Sequence, residues 1–274
     1  MINVILQKFE RRAEAVGSLV CVGLDPEVDR IPARFMGEEL PLFAFNRWII
    51  EQTQSYAAAY KPNMAFYEAR GTQGLKELEQ TMEYLRCEHP DIVTICDAKR
   101  GDIGNTNRGY AVSIFDAMGF DAVTLHPYLG REALAPFLER HDKACIVLCR
   151  TSNPGAGEFQ DLESGGRPLW ETVAMRVSTE WNAAGNCMLV VGATYPEEMR
   201  RIRTIAPTIP FLVPGVGAQG GNVAAVVAAG LDAQGMGLLV SSSRGILFSE
   251  DPASATRTLR DEINSAREAV HAAS

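Results

Sequence analysis

Short apolar runs recur along the whole chain and are separated by longer segments of mixed polarity. Most positions within each run are apolar, whereas a strand with one solvated face would alternate apolar and polar residues. This pattern predicts parallel strands that are covered on both faces. We predict eight such strands, at residues 19–24, 57–61, 92–97, 122–126, 144–148, 188–192, 211–214 and 235–241.

The segments between the runs carry apolar residues at the spacing of amphipathic helices. We predict helices at residues 42–56, 74–87, 104–118, 168–184, 197–205, 222–229 and 257–272. Strands that alternate with helices indicate βαβ units and a parallel sheet. Eight units predict an α/β fold of the closed (β/α)8 type, a TIM barrel.

An open, doubly wound sheet is the alternative architecture. Its usual glycine fingerprint should follow the first strand, but residues 23–26 read Gly-Leu-Asp-Pro. The chain has 274 residues, close to the roughly 250 that a single barrel often takes. No shift in composition marks a linker, so we predict one barrel domain over residues 1–274.

Composition narrows the class of protein. Hydrophobic residues make up 46% of the chain and charged residues 22%, which is typical of a soluble globular protein. The net charge of −8 argues against a nucleic-acid partner, because nucleic-acid binding usually needs a basic face. No apolar run approaches the length of a membrane span, and the first residues do not resemble an export signal. We therefore expect a cytoplasmic protein without a membrane partner.

Six cysteines are spread over the chain. Cys21, Cys96, Cys145 and Cys149 lie in apolar runs and are predicted to be small, buried core residues. No pair has the C-x-x-C spacing of zinc or redox sites, and free thiols fit a reducing compartment. No set of His, Asp and Glu has a convincing metal-ligand spacing either, so we expect no metal.

Candidate functional residues are the polar side chains at which the predicted strands end, because barrel active sites lie at the carboxyl ends of the strands. Asp25 follows the first strand and Lys61 ends the second. Asp97 ends the third strand, just before Lys99 and Asp102. Alternation along the third strand would place Asp97 and Lys99 on one face.

Two acids on either side of Lys99 would hold it protonated and oriented, and Lys61 from the neighbouring strand would alternate in charge with them. At about 4 Å and an effective dielectric near 20, each adjacent pair would interact by roughly 4 kcal/mol before desolvation. The D-x-K-x-x-D spacing by itself also fits a salt-bridged strand end that carries no chemistry.

A second signal is typical of phosphate binding. The glycine-rich segment 214–222 follows the seventh predicted strand and precedes a helix, where glycine N–H groups and the helix N-terminus can approach an anion. Arg244, after the eighth strand, can add a bidentate cation. The loops after strands seven and eight are the usual phosphate site of such barrels. Turn glycines beside an ordinary surface arginine are the alternative interpretation.

One connection is unusually long. Residues 150–167 are rich in Gly, Ser, Asn and Pro. Long loops in compact domains are uncommon and often functional. A surface loop without a function would, however, have the same composition.

Residues 97–106, which read DAKRGDIGNT, closely resemble the active-site signature of the orotidine 5′-phosphate decarboxylase family. The segments GLDP at 23–26, YKPN at 60–63, PGVGAQGG at 214–221 and SSRG at 242–245 also match this family, in the family's order. The loop TSNPG at 151–155 is most similar to the longer bacterial subtype. The combination is more specific than either DAKRGDIGNT or PGVGAQGG alone.

The resemblance implies a homodimeric barrel that converts orotidine 5′-phosphate to UMP and CO₂, the last step of de novo pyrimidine nucleotide synthesis. It implies neither a metal nor an organic cofactor. It also implies that Lys99 protonates C6 of the pyrimidine while Asp97 and Asp102 flank it, with Asp102 contributed by the partner subunit.

The remaining implied roles concern substrate binding. Lys61 and Asp25 would hold ribose hydroxyls, and Thr106 would cross the dimer interface to lie near the 2′-hydroxyl. Ser152 would contact the pyrimidine. Gln219 and Arg244 would bind the phosphate.

Two other functions remain open at this point. Keto-gulonate phosphate decarboxylases and hexulose phosphate synthases share the D-x-K-x-x-D motif but depend on Mg²⁺, and the DIGNT continuation favours the orotidine family over them. A barrel that binds a phosphorylated ligand without catalysis would also carry the glycine-rich loop and Arg244.

Overall fold

Eight parallel strands close into a barrel in the computed structural model, which describes residues 3–216 and 221–273. Numbered along the chain, the strands lie in the order β1-β8-β7-β6-β5-β4-β3-β2, and β2 pairs with β1 to close the ring. The eight-stranded parallel barrel predicted from the sequence is confirmed. The strands are β1 Val20–Leu24, β2 Ala59–Pro62, β3 Val93–Arg100, β4 Ala122–Leu125, β5 Ala144–Arg150, β6 Cys187–Val191, β7 Phe211–Pro214 and β8 Leu238–Ser242.

Helices surround the barrel and connect its strands. Because both faces of each strand are thereby covered, every residue of β1, β2, β4 and β6 is buried. The helices are α1 Val4–Val16, α2 Pro41–Thr53, α3 Met64–Glu68, α4 Gly71–Glu88, α5 Gly104–Ala111, α6 Gly130–Leu138, α7 Gly157–Gln160, α8 Leu169–Arg176, α9 Pro196–Ile205, α10 Val223–Gly230, α11 Arg244–Leu247 and α12 Pro252–Ala273.

Helix α1 was missed by the sequence analysis, although its local signals are clear. The Asn3 side chain accepts a hydrogen bond from the Ile5 N–H at 2.8 Å and caps the first turn. Gly17 ends the helix in the left-handed region, with φ of 56°. Helix α6 was also missed; it contains Pro136, which reads as a helix breaker in a sequence.

Two predicted helices lie in the right place but change geometry along their length. Helix α5 ends at Ala111 and continues as the π-helix Val112–Ala117. Helix α8 ends at Arg176 and continues as the π-helix Val177–Trp181. The helices predicted over 104–118 and 168–184 are therefore confirmed, although an apolar pattern alone does not separate a π-segment from an α-helix.

Strands β3 and β5 run past their predicted ends, and both become irregular there. The pairing register of β3 with β4 shifts between Cys96 and Arg100. The register of β5 with β6 shifts between Leu148 and Arg150. Bulges of this kind re-aim side chains and are frequent next to active sites.

The four cysteines predicted to be buried are buried, and Cys187 joins them, whereas Cys87 is exposed. All six thiols are free. Within residues 3–216 and 221–273, no helix is both long and apolar enough to cross a membrane.

Candidate active site

A cavity of about 300 Å³ opens at the carboxyl ends of the barrel strands. Four residues that the sequence singled out lie in its wall: Asp25, Lys61, Asp97 and Arg244. A larger groove of about 1000 Å³ runs along α10 and α12, on the outside of the barrel. The strand-end cavity is therefore the candidate active site. The rest of its wall consists of Glu27, Phe66, Pro214, Gly215, Val216, Ser241, Ser242 and Ser243.

Asp25 lies directly after β1 and is held from two neighbouring strands. Its Oδ1 accepts a hydrogen bond from the Asn63 backbone N–H at 3.1 Å, and its Oδ2 accepts one from the Ser243 hydroxyl at 2.6 Å. A side chain at Gly23 would not fit beside this contact, because its Cβ would lie 1.8 Å from the Ser243 Oγ. Glycine at position 23 thus lets Ser243 reach the Asp25 carboxylate.

Lys61 is buried at the end of β2, with its Nζ 3.2 Å from the Asp97 Oδ2. Burial by itself would lower the pKa of this ammonium, but the nearby carboxylates of Asp25 and Asp97 outweigh it. The pKa of Lys61 is therefore raised, and the side chain carries a positive charge at the floor of the cavity.

Asp97 is the centre of the charged cluster. Its Oδ1 lies 2.6 Å from the Lys99 Nζ and accepts a hydrogen bond from the Thr124 hydroxyl at 2.9 Å. Its Oδ2 contacts Lys61 and the Asn63 amide, the latter at 3.4 Å. Burial would raise the pKa of this carboxyl, but the two lysines and these hydrogen bonds lower it to about 2.

The Lys99 side chain contacts Asp97 as predicted, but the backbone geometry that brings the two together differs from the prediction. Regular strand alternation does not place it there, because Lys99 lies within the register shift of β3 and has a φ of 47°. It is the one non-glycine residue of the described chain with a positive φ. Such a conformation costs on the order of 1–3 kcal/mol and persists where neighbouring structure imposes it.

Thr124 on β4 imposes part of this geometry. Its Oγ1 accepts a hydrogen bond from the Lys99 backbone N–H at 2.9 Å and donates one to the Asp97 carboxylate. One hydroxyl thus fixes both the backbone of the lysine and the side chain of its partner. The Lys99 side chain remains about half exposed, and its Nζ contacts Asp97, a residue of the cavity wall.

Asp102 and Thr106 lie outside this cluster within the chain. The Asp102 Oδ1 accepts a hydrogen bond from the Ile103 N–H at 2.7 Å, and Thr106 is exposed on the first turn of α5. The buried Asn107 side chain donates a hydrogen bond to the Asp102 carbonyl at 2.6 Å and accepts one from its N–H at 3.0 Å. Their predicted contact with a second subunit stays a prediction.

The other predicted binding residues follow β5, β7 and β8. Ser152 lies two residues past the end of β5 and is half-buried. Arg244 begins α11 and is exposed, and it forms no ion pair with any residue that the structure describes. Gln219 lies outside the described residues.

Sequence reasoning missed three contributors to the cluster. Thr124 lies within the fourth apolar run, where a threonine reads as an ordinary strand residue. Ser243 lies in a run of three serines, and Asn63 follows Lys61 directly. Their position at strand ends was the one available signal, and it did not reveal which side chain each would bind.

The ionised Asp97 carboxylate thus lies between two lysines, the buried Lys61 and the half-exposed Lys99. Within the described residues, no group of three or more His, Cys, Asp or Glu side chains is arranged to hold a metal ion. The arrangement can deliver positive charge and a proton to a bound molecule at the point where Lys99 emerges.

The fold and the position of the cavity define the class of barrel proteins whose site lies at the carboxyl ends of the strands. The sequence model described as "Orotidine 5'-phosphate decarboxylase / HUMPS family" matches residues 18–259. The chain belongs to this family, which confirms the family predicted from its motifs.

Individual relatives share most of their length with the chain. Orotidine 5′-phosphate decarboxylase of Cellvibrio japonicus is 45% identical over 271 residues, which cover 96% of this chain and 98% of that protein. The structure of Leishmania donovani OMP decarboxylase superposes with a TM-score of 0.87 at 42% identity, covering 96% of this chain and 99% of that one. Leishmania donovani UMP synthase superposes with a TM-score of 0.89 at 43% identity; 97% of this chain spans 57% of that longer protein.

Proposed function

We propose that this chain decarboxylates orotidine 5′-phosphate to UMP and CO₂, the last step of de novo pyrimidine nucleotide synthesis. The observation that carries the proposal is the Lys61–Asp97–Lys99 array, which ends in an exposed ammonium beside the strand-end cavity. The names of the relatives favour this substrate over those of the Mg²⁺-dependent sister enzymes.

In this reaction the bond between C6 and the carboxylate carbon breaks, and its electron pair remains on C6 as CO₂ leaves. The pyrimidine ring delocalises that charge poorly, so the ammonium of Lys99 stabilises it by proximity. Lys99 then gives one N–H proton to C6 and recovers a proton from solvent. Asp97, ionised and 2.6 Å from the Lys99 Nζ, holds that nitrogen in place.

The binding roles in this proposal fall partly on residues of the cavity wall. Asp25 and Lys61 face the ribose hydroxyls from β1 and β2, and Ser152 contacts the pyrimidine. Arg244, in the cavity wall, binds the phosphate, and Gln219 is proposed to bind it as well. Binding energy gained at the phosphate can then be used to hold the reacting end of the substrate against Lys99.

The proposal includes a homodimer whose partner supplies Asp102 and Thr106 to the site. It is supported by exposed apolar side chains near these residues: Ile103 is 62% exposed, Val112 56%, Tyr128 83% and Leu129 44%. Ile103 directly precedes α5, Val112 begins its π-helical continuation, and Tyr128 and Leu129 lie in the β4–α6 connection. Helix α5 packs against α6. Apolar side chains gathered in this way on a soluble protein mark interaction sites.

Complementation tests the shared site. Lys99→Ala and Asp102→Ala proteins are each expected to be nearly inactive. A mixture refolded into heterodimers should regain activity, because one of its two sites has both wild-type residues. Confirmed heterodimers without recovery would contradict a site that is shared between subunits.

Loss of the absorbance of the orotate-type ring with orotidine 5′-phosphate as substrate tests the function itself. Turnover should persist in excess EDTA, since the proposed reaction uses neither a metal nor an organic cofactor. Abolition of turnover by chelation, with recovery on added Mg²⁺, would instead favour the metal-dependent sister reactions. The free thiols agree with the cytoplasmic location expected from the sequence, and that location stays a prediction.

A further inference from the structure

Arg150, the last residue of β5, is a buried cation that the proposed mechanism does not use. It is 3% exposed and lies directly after the register shift that separates it from Leu148. Its backbone carbonyl accepts a hydrogen bond from the Gly192 N–H at 2.7 Å, which fixes its main chain to the end of β6. A buried arginine is costly to keep unless its contacts compensate for the lost hydration.

Those contacts lead into the long connection after β5. The two terminal nitrogens of the guanidinium lie 3.1 and 3.4 Å from the two carboxylate oxygens of Asp161, at the end of α7. This fork is the bidentate, directional form of an arginine–carboxylate pair. The guanidinium carbon also lies over the Tyr195 ring, 3.9 Å from its centroid. One terminal nitrogen lies 4.0 Å from a carboxylate oxygen of Glu198.

A second set of hydrogen bonds closes the loop on itself. Gln160 donates a hydrogen bond to the Thr151 hydroxyl at 2.8 Å, and its carbonyl oxygen accepts one from the Thr151 N–H at 3.0 Å. Residues 151 and 160 are therefore clamped together while Arg150 holds Asp161. Ser152 is the next residue along, between this clamp and the end of β6.

Ser152 has little room to shift toward β6. A Cβ at Gly192 would lie 2.9 Å from both the Ser152 backbone nitrogen and its Cβ, so glycine is needed at 192 for this approach. The Ser152 backbone thus packs on Gly192, while the Arg150 side chain anchors the far end of the loop.

We propose that Arg150 is a positioning residue that holds the 151–161 loop so that Ser152 is aimed at the substrate. This rests on the proposed function, in which Ser152 contacts the pyrimidine. The Nε of Arg150 is buried without a hydrogen-bond partner in the described structure. The guanidinium is therefore held by the contacts of its terminal nitrogens with Asp161 and by its contact with the Tyr195 ring. Lysine cannot reproduce both contacts.

The test is a double-variant cycle on decarboxylation. Arg150→Met should lower kcat/KM about 30-fold, since small misplacements near a substrate cost up to roughly 100-fold. In a Ser152→Ala background the same change should cost less than about 3-fold, because the group that it positions is gone. Arg150→Lys should behave like Arg150→Met rather than restore activity.

Two further variants separate positioning from folding. Asp161→Asn leaves Arg150 in place and removes one end of the fork; we expect a loss of about 5-fold that also disappears in the Ser152→Ala background. Arg176→Met, at an exposed arginine paired with Glu180 on α8, should leave kcat/KM unchanged. Equal losses in both backgrounds would overturn the proposal. A wild-type protein without turnover would overturn the proposed function instead.

Discussion

The two halves of the candidate site are built differently. On the β1–β4 side, the buried Lys61 contacts Asp97, whose side chain is only 11% exposed, and Thr124 fixes the strand end that carries Lys99. On the β7–β8 side, Arg244 is exposed at the start of α11 and forms no ion pair with the described residues. One half is complete before a ligand arrives, whereas the other presents an arginine that is available for an anion.

This difference indicates a division of labour. Charges that are already paired and hydrogen-bonded need no reorganisation when a carbanion forms beside them. An exposed arginine contributes little to the fold and can use its full bidentate geometry on a phosphate. We expect changes in the β1–β4 half to affect turnover and stability together, and changes at Arg244 to affect binding alone.

Asp97→Asn should have the largest effect on stability, because it leaves Lys61 buried without its closest counter-charge. Removing one partner of a buried pair costs on the order of 3 kcal/mol. Urea unfolding of the two proteins at neutral pH measures this loss. Asp116→Asn is the matched control, since it breaks an exposed pair with Arg140 and should cost less than about 1 kcal/mol. Similar losses in both variants would mean that the cluster contributes no more than a surface pair.

Arg244→Ala should raise KM for orotidine 5′-phosphate about 100-fold, the worth of two charge-assisted hydrogen bonds. The unfolding free energy should stay within about 0.5 kcal/mol of wild type, as expected for an exposed side chain. Orotidine, which lacks the phosphate, should be turned over equally well by both proteins. Arg257→Ala, at an exposed arginine of α12, is the control. If Arg244→Ala reduced the turnover of orotidine as much as that of orotidine 5′-phosphate, Arg244 would not act through the phosphate.

Thr124→Val should reduce kcat about 10-fold and stability by about 1 kcal/mol, because it removes hydrogen bonds to both Lys99 and Asp97. Thr256→Val is the matched control. Its hydroxyl is also buried and hydrogen-bonded, but on α12, so it should lose similar stability while kcat is unchanged. If both variants keep wild-type kcat, the strained backbone of Lys99 does not depend on Thr124.

The smallest predicted effect concerns pH. The pKa of Asp97 in the folded protein, about 2, lies below the ordinary value of about 3.9. A depressed pKa stabilises the fold above the ordinary value, and this contribution is lost as the pH falls toward 2. The stability gap between wild type and Asp97→Asn should therefore narrow by roughly 1 kcal/mol between pH 7 and pH 3. A constant gap would contradict the lowered pKa, since all other acids are common to both proteins.

The sequence was sufficient to predict the barrel and the strands that carry the site, because continuous apolar runs directly reflect burial on both faces. It placed Asp25, Lys61 and Asp97 correctly at strand ends that meet in one cavity. It could not predict that Lys99 lies in a register shift with positive φ, since alternation assumes a regular strand. The hydrogen bonds of Thr124 with Lys99 and Asp97 could not be predicted either, because they depend on how β4 aligns with the irregular end of β3.

The long connection after β5 shows the same limit. Its composition indicated only a loop, whereas the structure contains α7 and a short hairpin formed by Glu163–Ser164 and Arg167–Pro168. Local sequence gave no sign that Arg150 would be buried against Asp161. Such contacts arise when distant segments pack, and no local period encodes them.

In the proposed function Lys99 performs the chemistry, whereas residues such as Asp25, Lys61 and Arg244 bind the nucleotide. The most direct measurement is the decarboxylation rate of Lys99→Ala at saturating orotidine 5′-phosphate, together with its affinity for UMP by calorimetry. We predict that the rate falls by roughly 10⁴-fold or more, the combined worth of a proton donor and an electrostatic contact, while the Kd for UMP stays within about 3-fold of wild type. Undiminished turnover would contradict the claim, and so would a loss of UMP binding large enough to account for the lost rate.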